Sequence, residues 1–168
     1  MVKLWSMIHW VVYKCDYRLR IASLKINPIV YIYRLPFFKE HFRKMGIDPI
    51  EEVNKAFIRP DVGLSSIVAG GVMYSLFFMI CFGFVNLYSA IKQIELNLQL
   101  HHFIVLGSPS LIVNHYLLFK HDKYLAYFTE FEKMEKAEKM RWAWICLGVV
   151  LCILLFTIGS FAYMVYRL

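Results

Sequence analysis

Residues 100–119 read LHHFIVLGSPSLIVNHYLLF. They belong to a charge-free stretch that runs from Leu96 to Phe119, 24 residues, and its thirteen Leu, Ile, Val and Phe residues contribute about −4 to −8 kcal/mol towards membrane insertion. Asn97, Gln99, His101, His102, Asn114 and His115 oppose insertion, because each must find a polar partner in a solvent that offers none. Ser108 and Pro109 after Gly107 have the form of a helix cap and first helical position, so the spacing predicts a break there and a new helix beyond it. Whether this interval crosses a bilayer or folds back into it decides the side on which every later residue lies.

Two neighbouring intervals are less ambiguous. Val62 to Ile91 (30 residues) and Trp142 to Tyr166 (25 residues) contain no Asp, Glu, Lys or Arg, and a helix needs about 20 apolar residues to cross the hydrocarbon. The later one also lacks Asn, Gln and His. Trp142 and Trp144 mark one end and Tyr163 and Tyr166 the other, as expected of aromatic rings at membrane interfaces. With 60% hydrophobic residues in a chain of 168, the composition exceeds that of soluble domains. The expected fold is an all-α integral membrane protein with transmembrane helices at about 64–91 and 142–166, and a third, broken or re-entrant segment at about 97–119.

Charge placement orients these helices. Residues 1–61 carry Lys3, Lys14, Arg18, Arg20, Lys25, Arg34, Lys39, Arg43, Lys44, Lys55 and Arg59, which places the N-terminus in the cytoplasm by the positive-inside rule. Three crossings return the basic segment 120–141 to that side, whereas two crossings with a re-entrant middle interval leave it outside. The asymmetry prefers three, and five acidic residues in that segment keep the alternative open.

Residues 1–61 are expected to form a basic, aromatic-rich interfacial layer, and 62–168 the transmembrane domain. Leu4 to Tyr13 is too short to cross, and no small-residue cleavage site follows, so it reads as an interfacial helix with Trp5 and Trp10 at headgroup depth. Lys14, Arg18, Arg20 and Lys25, interleaved with aliphatic and aromatic residues, are candidate contacts for anionic lipid rather than nucleic acid. Short helices are expected from Pro36, stopped by Gly46, and from Pro49, capped by Asp48. Residues 122–141 read as an amphipathic connector helix running directly into the last span, with Tyr124, Tyr127, Phe128, Phe131 and Met134 on one face. Its helix-favouring pairs are Glu132 with Lys136 and Glu135 with Lys139. That aromatic face needs cover, from the N-terminal region, a second copy or the headgroups.

The chemistry-bearing residues are few. Cys15, Cys81, Cys146 and Cys152 form no CxxC pair and read as structural thiols. His101, His102, Asn114 and His115 are candidate polar groups within the membrane or lining a pore. They lack the spacing of a known metal site: His101 and His115 on one straight helix stand about 21 Å apart. No phosphate loop or nucleophile motif is present, and no metal or cofactor is expected. The charge-free spans also argue against an ion-coupled transporter.

Small-residue faces at Ser66, Gly70, Gly71 and Ser75, and at Gly148, Cys152 and Gly159, are candidate helix-packing surfaces. The first expectation is a non-enzymatic subunit or anchoring component, its partners membrane lipid and either a second copy or another membrane-associated protein. An oligomeric pore-forming effector is the alternative, and a membrane enzyme with a histidine metal site the remote one. The Lys-, Ile-, Phe- and Tyr-rich composition points to a bacterial inner membrane.

Overall fold

A computed structural model of the chain describes residues 2–24, 26–33, 35–61 and 63–167, and no strand occurs among them. The helices are α1 (Val2–Leu24), α2 (Pro28–Tyr33), α3 (Pro36–Lys44), α4 (Pro49–Ile58), α5 (Leu64–Lys92), α6 (Leu100–Asn114), α7 (Lys123–Glu132) and α8 (Lys136–Arg167). A π-helical turn (His115–Phe119) and a 3₁₀ turn (Lys120–Asp122) join α6 to α7. The chain forms two compact units, residues 1–10 with 71–168, and residues 11–70. The expected division at 61/62 thus does not coincide with this one: the first ten residues belong with the large helical unit.

Three helical stretches are long and apolar enough to cross a membrane: Leu64–Lys92, Leu100–Glu132 and Lys136–Arg167. The middle stretch differs from its sequence reading. No helix starts at Ser108. Pro109 lies inside α6 and supplies no N–H to the carbonyl four residues back, that of Val105. The Ser108 hydroxyl donates to Val105 O instead, at 2.8 Å, so the carbonyl is satisfied and the helix continues. The irregularity lies downstream. The Asn114 side-chain amide donates to Ser110 O, the carbonyl four residues before it, and the π turn begins at the next residue. Leu100–Phe119 spans about 30 Å at 1.5 Å per residue. His121 and Asp122 then adopt left-handed backbone (φ 59° and 50°) and redirect the chain into α7.

The connector is likewise two helices. The chain breaks at 133–135, so Glu132 and Lys136 lie on opposite sides of the break and share no helical face. Lys139 Nζ donates to the Glu132 carbonyl at 2.8 Å, closing the end of α7.

The N-terminal helix runs 23 residues, well past the ten-residue apolar run. Ser6, Met7, Ile8, His9 and Trp10 are buried, so Trp10 is a packed residue in place of the headgroup anchor expected there. Its cover is the aromatic face of α7. The His9 ring stands 5.3 Å from Tyr124 and 5.2 Å from Phe128, and Trp10 meets Phe131 edge-on at 6.0 Å. Lys3 Nζ pairs with Glu130 Oε1 at 2.7 Å, a hydrogen bond that raises the Lys3 ammonium above its ordinary pKa. Of the three covers considered for this face, the structure uses the N-terminal region.

Within residues 11–70 the short helices start and stop as the sequence implies. Pro36 opens α3, and Gly46 follows it with φ +67°, a left-handed conformation suited to glycine. Asp48 Oδ1 accepts from Ile50 N (2.9 Å) and Glu51 N (3.2 Å) at the start of α4. Asp48→Ala is expected to destabilise α4 by about 1 kcal/mol, read as faster amide exchange at residues 50–52, while Asp48→Ser retains most of the protection.

Candidate functional site

The polar residues of the middle stretch do not converge. Asn114 is fully buried, and its oxygen accepts from Trp5 Nε1 at 2.8 Å. Its amide nitrogen donates to Ser110 O at 2.9 Å and, more weakly, to Met73 O at 3.4 Å. Ser110 Oγ donates to Tyr74 O at 2.6 Å. Asn114 therefore joins α1, α5 and α6, with all of its polar atoms engaged inside one chain.

His102 is the third residue of α6, and its Nδ1 accepts from Gln99 N at 3.0 Å, the side-chain half of a capping box. The adjacent His101 ring lies 3.9 Å away, centroid to centroid. His115 is exposed at the opposite end of α6, against the Tyr116 ring. Because α6 is unbroken, the approach of His101 or His102 to His115 that a tight turn at Gly107–Pro109 would give does not occur. Among the described residues no group of three or more His, Cys, Asp and Glu side chains is placed to hold a metal ion.

The packing faces divide sharply. Ser66 and Gly70 are buried, whereas Gly71 and Ser75 are exposed, Ser75 Oγ bonding back to Gly71 O. On α8 the inward residues are Cys146, Ile153 and Ser160, at seven-residue spacing. Thr157 Oγ1 donates to Met79 O at 3.1 Å across to α5, and the close approach falls at Gly83, where a Cβ would stand 2.4 Å from the Phe156 ring. Gly148, Cys152 and Gly159 face outward, and a Cβ added at Gly148 or Gly159 meets nothing within 4 Å. Gly148 and Cys152 instead floor an open groove of about 500 Å³ between α5 and α8, walled by Ile80, Phe84, Val149 and Phe156. The sequence marks the small residues but not Gly83, the glycine that the α5–α8 contact requires.

The basic candidates differ from one another. Arg20 is committed to Asp16 at 2.6 Å and lies over the Phe57 ring at 5.2 Å. Lys14 sits over Tyr13, and Arg18 is exposed. Lys25 lies outside the described residues. A basic cleft that the sequence reading misses lies on α3, where Lys39 and Arg43 line a cavity with Tyr33, Phe42, Ile47 and Ile50. Their i,i+4 spacing is its only sequence signal. Asn86, in the middle of an apolar helix, is fully buried with neither side-chain polar atom hydrogen-bonded.

The chain matches no protein-family model, no curated protein and no solved structure.

Proposed function

We propose that this protein is a non-enzymatic integral membrane protein that serves as a subunit of a membrane assembly, with the outward groove of α8 receiving a transmembrane helix of a partner protein. Its N-terminus lies in the cytoplasm, and α5, α6 with its π turn, and α8 cross the bilayer. The packing of α1 on α7 supports three crossings. Residues 3–10 touch residues 119–131, and two crossings would put those segments on opposite sides of the membrane.

The groove carries the functional reading. In lipid there is no hydrophobic drive between helices, so association depends on close backbone approach and dispersion. The interior contact of α8 uses Cys146, Ile153 and Ser160, which leaves Gly148 and Cys152 uncovered in a groove they share with Phe84 and Phe156. A straight helix seated there fills space that lipid chains pack less completely. The pore alternative lacks such support, since Asn114 spends its hydrogen bonds within the chain.

A photo-reactive residue at Ile145, which is exposed and lines the groove, is expected to give a covalent adduct with a second membrane protein in intact cells. Gly148→Leu should abolish the adduct without lowering the protein's abundance, because open space surrounds residue 148. Adducts with lipid alone, or with a second copy of this chain, would overturn the proposed hetero-assembly.

A further inference from the structure

We infer that the cleft between α3 and the start of α4 binds the phosphate-bearing headgroup of an anionic phospholipid. The cleft has a volume of about 650 Å³ and lies within residues 33–50. Lys39 and Arg43, one helical turn apart on α3, supply two cations on one side of it. Among the described residues no carboxylate pairs with either: Glu40 pairs with Lys44 at 3.7 Å, and Glu51 and Glu52 pair with Lys55 at 3.1 and 3.0 Å. The one acid in the lining, Asp48, turns its Oδ1 onto the first amides of α4.

The rest of the lining is apolar, from Phe42, Ile47, Pro49 and Ile50, with the Tyr33 ring standing edge-on to Phe42 at 5.6 Å. An anion with an apolar body fits this combination better than a free anion, which would leave those walls against water. The surroundings select the source. Leu35, Phe37 and Met45 are 51%, 78% and 49% exposed around α3, a display that is unfavourable in water and favourable at a headgroup layer. Arginine binds phosphate through a planar fork and lysine as a point charge, so the pair takes a phosphodiester without needing a second protein element.

This inference draws on the membrane reading only to place α3 at a bilayer surface; it does not involve the α8 groove. The test uses the full-length protein purified in neutral detergent, with phosphatidylglycerol and phosphatidylcholine supplied together and retained lipid counted by native mass spectrometry. The wild-type protein should retain phosphatidylglycerol preferentially. Lys39→Gln and Arg43→Gln should each lower that preference about fivefold, the effect of one basic residue at an anionic surface. Arg18→Gln, which removes an exposed cation outside the cleft, should leave it unchanged. An equal loss in Arg18→Gln would reduce the effect to a diffuse basic field and overturn the site. Absence of any preference would also overturn it, as would full displacement of the lipid by millimolar inorganic phosphate, which would make soluble phosphate the ligand. Loss of partner cross-linking at Ile145 bears on the groove alone, so the two readings fail separately.

Discussion

Replacing Phe131 with alanine is expected to cost about 3 to 5 kcal/mol, the range for removing a fully buried aromatic ring. Phe131 has no exposed surface, and its ring meets Trp10 at 6.0 Å and stacks on Tyr127 at 5.8 Å. It lies on the part of the molecule that the proposed topology puts in the cytoplasm, where burial retains its full hydrophobic value. Most of the cost should appear as release of the first ten residues from α7. Amide exchange at residues 4–10 should accelerate together with exchange at 124–131, and thermal unfolding in detergent should begin at lower temperature. Phe131→Leu keeps most of the volume and should cost about 1.5 kcal/mol or less. The contrasting expectation comes from a headgroup-facing ring, which leaves both exchange rates and the midpoint unchanged on truncation. That result would remove the α1–α7 interface and, with it, the structural support for three crossings.

How far the sequence discloses this arrangement depends on the range of the interaction involved. Helix starts at Pro36 and Pro49, the Asp48 cap and the Gly46 stop are set by residues within four positions, and all are legible. So are the three long apolar helices, because a run free of charge is a local property. Pro109 misleads for a specific reason: its neighbour Ser108 satisfies the very carbonyl that proline deprives, and only the side-chain geometry reveals it. The N-terminal helix is read as interfacial because its ten-residue apolar run does not show that α7, more than a hundred residues away, covers it. Small residues on α8 are equally visible whether they face inward or outward. Register against α5, set by Gly83 and Thr157, is what turns Gly148 to the outside. The α3 cleft escapes notice because its cations are two among eleven in residues 1–61 and only the fold gathers apolar walls around them.

Asn114→Ala should test which use the chain makes of its most polar apolar stretch. Interhelical hydrogen bonds in a bilayer average about 0.6 kcal/mol, so loss of the bonds across helices to Trp5 and Met73, together with the one to Ser110 within α6, is expected to cost about 1 to 2 kcal/mol. Trp5→Phe removes only the indole N–H and keeps a ring against Phe77, which Trp5 meets edge-on at 6.3 Å. If the pair acts as the geometry implies, Trp5→Phe lowers stability in the wild-type background and has almost no further effect in Asn114→Ala. Two residues that do not interact would add their costs instead. The same variant separates scaffold from pore. A side chain holding α1, α5 and α6 together affects stability and the exchange of residues 4–10, whereas one lining a conduit affects ion flux while the fold keeps its midpoint. Flux through reconstituted vesicles that changes in Asn114→Ala at unchanged thermal stability would therefore defeat the subunit reading. A loss of stability, coupled to Trp5 and without any flux, would leave Asn114 as the polar anchor fixing the register of three helices in lipid.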